Sequence, residues 1–241
     1  MGADSLRNPG SRLKTTTTGV ASSTRSAYCG ATLISKKDSS MKRLLLLTAS
    51  VASLSAFAAQ GAKVPGAENY AIDDSHSGVV FGWNHFGFSN PSARFDKIEG
   101  SVLLDKADLT KSSVAVTLPV EGLDTRVAKL DEVLKSPDFF DSAKYPTITF
   151  KSTKIEKTGG NGLKITGDLT VHGVTKPVTL DAKVNKIGLF EIPGVVKAQT
   201  AGFDATTVIR RSDFGVTKFL PAVSDEIPVR ITLDAKLAQA Q

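Results

Sequence analysis

The sequence predicts an all-β domain of about eight antiparallel strands and one short helix. Apolar and polar residues alternate along most of the chain from residue 59 onward, and a period of two is typical of strands that bury one face. Glycine-rich turns separate the alternating segments. A single segment, residues 124–138, instead places its apolar residues at helical spacing.

Five segments carry the alternation. Turns are expected at residues 159–162, at Gly173 and at Gly188, and the first of these predicts a hairpin between its two flanking strands. An exposed edge on the last strand would allow pairing across a homodimer. The apolar positions are Ile98, Val102 and Leu104; Val114, Val116, Leu118 and Val120; Leu163, Ile165, Leu169 and Val171; Val178, Leu180, Ala182 and Val184; and Ile227, Val229, Ile231, Leu233, Ala235 and Leu237.

The predicted helix lies between the second and third of these segments. Val127, Leu130 and Leu134 are spaced to share one face, Asp124 or Thr125 can cap the start, and Pro137 ends the helix near Ser136. Such a helix is too short to cover a sheet, so the sheet must pack on a second sheet or close into a barrel. The residue pattern does not separate a sandwich from an eight-stranded barrel, which can hold one small ligand.

Residues 41–58 predict a secretory signal peptide. Lys42 and Arg43 precede an apolar run that ends in the small-x-small triplet 56–58, so we expect cleavage after Ala58 and a periplasmic location. The run falls short of the ~20 apolar residues that a membrane span needs.

The upstream extension, residues 1–40, is basic and rich in serine and threonine. It fits either an artefactual start ahead of Met41 or an organelle transit peptide, and the complete signal sequence that begins at Met41 favours the first. The folded domain is therefore expected over residues 59–241.

The net charge of +6 comes from the leader. Residues 1–58 hold eight of the 30 basic and two of the 24 acidic residues, which leaves 22 of each in the domain. This balance gives no electrostatic case for nucleic-acid binding. The only cysteine, Cys29, also lies in the leader, so the domain is compatible with an oxidising compartment but has no disulfide framework.

Histidine is too scarce to predict a metal or catalytic centre. A zinc site needs three or four ligands, and only Asp73 and Asp74 lie close to His76 in the sequence, while His85 stands apart. His172 lies on the polar face of its strand and is expected to be solvated near a turn. No nucleophile elbow, HExxH motif or P-loop is present. We therefore predict neither metal ligands nor catalytic residues.

The segment 78–90 carries aromatic residues on both faces. Phe81, Trp83 and His85 share one parity, while Phe86 and Phe88 share the other. One interpretation is core packing at a strand end. The other is the wall of a cavity in which His85 supplies one polar contact, because ligand pockets are mostly apolar with a few placed polar groups.

The segment 206–219 places two arginines beside an acidic and an aromatic residue. Arg210 or Arg211 could pair with Asp213 to close a surface loop, an interaction that contributes little. Alternatively, the arginines could form a polar mouth that contacts an anionic or hydroxylated head group. The residue types favour the loop.

The segment 136–150 raises a burial conflict. Phe139 and Phe140 stand between Asp138 and Asp141, directly after the predicted end of the helix. If the loop turns both rings inward, each buried ring contributes ~1.5–3 kcal/mol. The pair would then be either a core plug or the wall of a ligand channel.

Taken together, these segments resemble the YceI-like family of secreted, lipocalin-like, polyisoprenoid-binding proteins. The resemblance extends from about Tyr70 to Leu237. It implies an extended antiparallel eight-stranded lipocalin-like β-barrel with one short helix. The four blocks that carry it are "SHSGVVFGWNHFGFSNPSARFDKIEGSVLLD", "LKSPDFFDSAKYPTITFKSTKI", "GDLTVHGVTKPVTLDAKV" and "IRRSDFGV".

The resemblance also implies a function. It indicates a periplasmic binding or carrier protein, not an enzyme, that holds a polyisoprenoid, an isoprenoid quinone or a fatty-acid derivative in an apolar cavity. Beyond this lipid it implies no cofactor, and it is compatible with transient membrane contact. A lipid-modifying enzyme that uses His85 and a stress-induced barrel without a ligand remain the alternatives.

The residue patterns and the resemblance together give a set of candidate ligand-binding residues, of which the resemblance itself carries over His85, the Phe139-Phe140 pair and the block 211–215. One departure from the family pattern concerns the helix, which has Lys129 and Glu132-Val133-Leu134 where relatives often carry Arg and His-Leu, so the ligand preference is expected to differ. The candidates are Phe81, Trp83, His85, Phe139, Phe140, Phe150, Arg210, Arg211, Asp213 and Phe214.

Overall fold

Strands account for most of the chain that the computed structural model describes, residues 66–239. Within that range lie one α-helix, α1 (Ala128–Lys135), and eleven strands. The strands are β1 (Glu68–Ile72), β2 (Gly78–Gly82), β3 (Ser92–Phe95), β4 (Glu99–Leu104), β5 (Ser113–Pro119), β6 (Leu123–Asp124), β7 (Thr147–Gly159), β8 (Gly162–Val171), β9 (Val174–Ile192), β10 (Val196–Arg210) and β11 (Glu226–Leu237).

The sheet closes on itself. Its order is β1-β4-β5-β7-β8-β9-β10-β11, and β11 returns to β1 through the pairs Tyr70↔Leu237 and Ile72↔Ala235. Every pairing is antiparallel. The eight-stranded barrel is therefore confirmed and the sandwich is excluded. β11 is paired along both edges, which removes the free last strand that would have allowed pairing across a dimer.

Three of the eight strand paths are interrupted. β1 and β2 form one path, because both pair with β11. β3 and β4 form the second path and β5 and β6 the third, and these paths pair through β4–β5 and β3–β6. Between β1 and β2, Asp73 caps a 3-10 turn and accepts a hydrogen bond from the Ser75 amide. Its carboxylate also pairs with Lys236 of β11 at 2.7 Å. The Lys236 and Ser75 hydrogen bonds lower the pKa of Asp73 well below its usual range, so this carboxylate fastens the closing pair of strands.

The predicted inward parity is found along the barrel. Leu163 and Val171 of β8, Leu180 of β9, and Leu233 and Ala235 of β11 are all buried. The intervening charged residues lie on the outer face, as expected for strands with one solvated side. The alternation in the sequence therefore identifies the interior wall of the barrel.

The helix confirms its predicted end but not its predicted start. It stops at Lys135 with Ser136 as C-cap. Val127, not Asp124 or Thr125, occupies the N-cap position, and it is 54% exposed and so does not share the buried face with Leu134. The Asp131 carboxylate instead accepts hydrogen bonds from the Thr125 amide and hydroxyl, and Arg126 adopts a φ of 64°, so the chain bends before it enters the helix.

The hairpin of β9 and β10 is longer than the sequence predicts. Gly188 was expected to mark a turn, yet it lies within β9 and pairs with Thr200. The chain reverses at Gly194, whose φ of 75° suits glycine, and the Val195 amide donates to the Ile192 carbonyl. The prediction was wrong because an isolated glycine is also tolerated within an extended strand.

The upstream extension (1–40), the predicted signal peptide (41–58) and its cleavage site lie outside the described residues. Along 66–239, no helix has both the length and the apolar character to cross a bilayer.

Candidate lipid-binding cavity

The barrel encloses a cavity of about 490 Å³. This lies within the ~300–1,000 Å³ typical of small-molecule sites. Its wall is almost wholly apolar and draws on the inward face of the strands. Among the side chains that line it are Val79, Phe95, Ile98, Val102, Leu104, Val116, Leu118, Ile148, Ile155, Leu163, Ile165, Leu169, Leu180, Ala182, Phe203, Ala205, Ile209, Ile227, Val229, Ile231 and Leu233.

Two loops and the helical segment surround one end of the cavity, which we call the mouth. The first mouth loop, residues 83–91, joins β2 to β3, and the second, residues 214–224, leads into β11. The Phe86 amide donates to the Ala222 carbonyl at 2.9 Å, and the Ser224 amide donates to the Asn84 carbonyl at 3.1 Å. These backbone hydrogen bonds hold the two loops together.

The Phe139-Phe140 pair turns inward directly after α1. The Phe140 amide donates to the Leu134 carbonyl at 2.9 Å, and the Asp141 amide donates to the Ser136 carbonyl at 2.9 Å. These bonds fold the chain back under the end of the helix. Both rings then line the cavity. Both rings are half-buried and pack against the core, and Phe140 packs edge-on against Phe81 and Phe95 with ring centroids 6.0 Å apart in each case.

Phe139 also reaches the mouth. Its ring centroid is 6.3 Å from that of Phe219 in the second mouth loop. Beside this contact the Asp138 carboxylate pairs with Lys218 of the same loop at 3.2 Å. Both rings therefore pack against the core, and Phe139 in addition contacts the loop that borders the opening.

Arg211 organises the second mouth loop. It is 8% exposed, and its guanidinium donates to four backbone carbonyls. Burial lowers the pKa of this guanidinium, but arginine stays protonated in proteins, so its charge is compensated by the carbonyl dipoles. The acceptors are the carbonyls of Ser224 (2.8 Å), Val216 (3.1 Å), Lys218 (2.8 Å) and Val223 (2.9 Å).

Arg210 has a different environment from its neighbour. Its side chain is 64% exposed and pairs with Asp225 at 3.1 Å, not with Asp213. The Asp225 carboxylate also accepts from the Ser212 amide and hydroxyl. Asp213 is exposed and does not line the cavity. The expected pairing of an arginine with Asp213 was therefore wrong, because Arg210 pairs with Asp225, twelve positions later in the sequence.

The structure brings eight of the ten candidate residues to the cavity wall. Arg210 and Asp213 lie outside it. Phe150 is directed inward across Gly167, where an added methyl group would lie 2.5 Å from its ring. The eight are Phe81, Trp83, His85, Phe139, Phe140, Phe150, Arg211 and Phe214.

His85 lies at the mouth and is exposed. Its ring packs edge-on against Phe86 at 4.8 Å, and its backbone pairs with Ser89. Few other polar side chains reach the cavity; Ser112, Ser113 and Thr207 are among them.

Sequence reasoning missed several residues of the mouth. Val133, Phe219 and Val223 all line the cavity. Phe219 and Val223 lie in a loop, where no periodicity marks the inward side, and Val133 lies outside the helical face assigned to Leu130 and Leu134. The one available signal was Phe219, an aromatic residue in a loop that has almost no charged residues.

The other histidines have local roles. His76 Nδ1 lies 2.8 Å from the Asp73 carboxylate, and the described part of the chain contains no group of three residues suited to hold a metal ion. His172 is half-buried against the Tyr145 ring, with Nδ1 3.3 Å from the Phe214 carbonyl. The expectation of a solvated His172 was therefore wrong, because packing at the β8–β9 turn covers it.

A closed eight-stranded antiparallel barrel around an apolar cavity defines the lipocalin-like class of folds. Within this class the chain belongs to the YceI-like domain family, which matches residues 70–235. It is 40% identical over 152 residues to a UPF0312 protein of Vibrio cholerae, an alignment that covers 62% of this chain and 78% of the relative.

Two solved structures have a similar fold. BcnA of Burkholderia cenocepacia is 28% identical, with a TM-score of 0.61, over 68% of this chain and 99% of BcnA. A polyisoprenoid-binding domain from Saccharophagus degradans is 14% identical, with a TM-score of 0.54, over 70% of this chain and 98% of that domain. The second similarity concerns the fold alone.

The different positions of Phe139 and Phe140 predict different losses on truncation. Phe140→Ala removes a core ring and should lower the free energy of unfolding by about 2–4 kcal/mol. Phe139→Ala should cost less than about 1.5 kcal/mol, because its ring borders the opening, yet it should weaken the binding of a fluorescent fatty acid severalfold. Urea denaturation and fluorescence titration measure the two effects. Equal stability losses, or unchanged binding in Phe139→Ala, would contradict this assignment.

Proposed function

We propose that this protein is a periplasmic carrier that holds the long apolar chain of an amphiphilic lipid inside its barrel. The observation that carries the proposal is the almost wholly apolar cavity, which reaches the surface at the mouth. The polyisoprenoid-binding description of the Saccharophagus degradans domain, which has the same fold, supports a prenyl chain as the ligand. A quinone with an isoprenoid tail or a fatty-acid derivative satisfies the same chemistry.

Burial of the chain supplies the binding energy. Each methylene removed from water contributes ~0.8 kcal/mol before ordering costs. At a working efficiency of ~0.3 kcal/mol per heavy atom, a chain of about 20 atoms reaches only ~6 kcal/mol, and one of about 40 atoms reaches ~12 kcal/mol, a nanomolar Kd. A long chain is therefore favoured.

The mouth suits a polar head group. In our proposal the lipid tail lies in the barrel and the head group remains near His85, which is exposed at the opening. We assign Arg211 no head-group contact, because it is buried and four of its five N–H donors are engaged by the carbonyls of the second mouth loop. Its role is to fix the loop that carries Phe214 and Phe219 to the cavity wall.

The periplasmic location and the absence of catalysis are parts of the same proposal. Residues 41–58 have the composition of a secretory signal. Binding alone requires no catalytic group and no cofactor beyond the lipid. A carrier in the periplasm would move an apolar chain through water that the chain could not cross alone.

Native mass spectrometry of the protein purified from the periplasm of its own host tests the proposal. We expect one added mass per chain that corresponds to an amphiphilic lipid and is lost after extraction with organic solvent. A protein recovered without any lipid, which also fails to take up prenyl lipids after extraction, would contradict it. The mass would also distinguish a quinone from a polyprenyl phosphate.

A further inference from the structure

Exposed aromatic side chains are concentrated at the mouth. Phe88 is 89% exposed, Phe219 is 53% exposed and Phe86 is 47% exposed. Phe86 and Phe219 also line the cavity. The apolar interior of the barrel is therefore continuous with an apolar patch on the outside, and large patches of this kind on soluble proteins mark interaction sites.

The patch is assembled from separate parts of the chain and held in place. Phe86 and Phe88 belong to the first mouth loop and Phe219 to the second. The hydrogen bond between the Phe86 amide and the Ala222 carbonyl joins the loops. The contact of Phe219 with Phe139 joins the second loop to the segment that follows α1.

The backbone at two of these aromatics is strained. Phe86 has a φ of 54° and Phe219 a φ of 64°, a left-handed conformation that is unfavourable for a bulky residue. Strain of this kind persists where the surrounding structure enforces it and is concentrated at functional sites. Here it directs two phenylalanine rings to the opening.

The charges of the patch identify the surface that it fits. Residues 83–91 contain no Asp, Glu, Lys or Arg, and residues 214–224 contain a single charged residue, Lys218. The Lys218 ammonium pairs with the Asp138 carboxylate of the segment after α1 at 3.2 Å, so these two charges compensate each other at the edge of the patch. Exposed aromatic rings in loops that contain no carboxylate are suited to the interface of a phospholipid bilayer, because the rings enter the acyl boundary and nothing in these loops repels the lipid phosphates.

We propose that the mouth loops dock on the surface of a phospholipid bilayer, so that the apolar chain passes between membrane and barrel without crossing water. This inference rests on the proposed function, because a lipid that is taken from a bilayer must enter the cavity through an opening that faces the membrane. Phe88, which does not line the cavity, contributes to docking and not to binding of the chain.

The test compares Phe88→Ser with Phe190→Ser. Phe190 lies in β9 on the hairpin toward the Gly194 turn and is 42% exposed, so this variant controls for the loss of an exposed ring elsewhere. Co-sedimentation with vesicles of phosphatidylethanolamine and phosphatidylglycerol measures docking. We expect Phe88→Ser to lower the vesicle partition coefficient about tenfold and Phe190→Ser to leave it unchanged.

A second measurement separates docking from chain binding. Titration with a fluorescent fatty acid delivered from water should give the wild-type Kd for Phe88→Ser. If the wild type binds this probe but not the vesicles, or if both variants partition as the wild type does, the docking surface is refuted while the proposed function stands. If the wild type does not bind the probe, the proposed function fails.

A change of oligomeric state in Phe88→Ser alone, measured by light scattering, would assign the patch to a second copy of the chain and overturn bilayer docking.

Discussion

Replacing Arg211 by methionine is expected to lower the free energy of unfolding by about 3–5 kcal/mol. The guanidinium is the donor for four carbonyls of the second mouth loop. Methionine fills a similar volume but leaves those carbonyls without a protein donor, and each unsatisfied buried group costs ~1–3 kcal/mol. Phe214 and Phe219 are carried by the released loop, so lipid binding should weaken together with stability. Urea denaturation with fluorescence titration measures both.

Arg210→Met is the matched control for this change. It removes the adjacent arginine, whose ion pair with Asp225 is exposed, and exposed pairs contribute only ~0–1 kcal/mol. Arg211→Lys should resemble Arg211→Met, because a lysine ammonium retains the charge but has too few donors in the wrong geometry. Equal losses of unfolding free energy for Arg210→Met and Arg211→Met, or full stability in Arg211→Lys, would contradict this account. Either result would show that the charge of Arg211, and not its four hydrogen bonds to carbonyls, holds the loop.

Filling the cavity is the change with the largest expected effect on binding. Ala205 of β10 is buried, lines the cavity and pairs with Ala182 of β9. In Ala205→Phe the new ring enters open space, so we expect the stability to change by less than about 1.5 kcal/mol. The ring displaces several methylenes of the ligand at ~0.8 kcal/mol each, which should weaken binding of a long prenyl alcohol by at least about a hundredfold.

Thr206→Phe provides the control for Ala205→Phe. Thr206 is the next residue of the same strand and is exposed on the outer face, so the same ring is added without entering the barrel. Its Kd should stay at the wild-type value. If Ala205→Phe binds the prenyl alcohol as tightly as the wild type does, the chain does not occupy this cavity.

The alternation in the sequence correctly predicted many of the residues that face the barrel interior. Leu163, Leu180 and Leu233 were assigned to the inward face from their parity alone, and all three are buried. Parity could not establish closure, however, because the strands of a sandwich alternate with the same period. Closure depends on pairing between Ile72 and Ala235, which lie far apart in the sequence, and no local pattern reports such a contact.

The candidate site was likewise predicted only in part from the sequence. Phe81, Trp83 and Phe140 could be selected from aromatic content and position, but the sequence could not distinguish a core ring from a cavity wall, because both positions require an apolar side chain. Arg211 illustrates the remaining gap. Its residue type suggested an ionic contact, whereas the structure uses it to bind carbonyls whose positions depend on the folded loop.

Titration of the lipid-free protein with a series of prenyl alcohols of increasing length tests most directly whether the cavity holds an apolar chain. At ~0.3 kcal/mol per heavy atom, each added isoprene unit should lower the Kd about tenfold until the cavity is filled, after which the Kd should level off. In Ala205→Phe the plateau should begin at a shorter chain. A Kd that does not change with chain length in the wild type, or no binding at any length, would contradict the account.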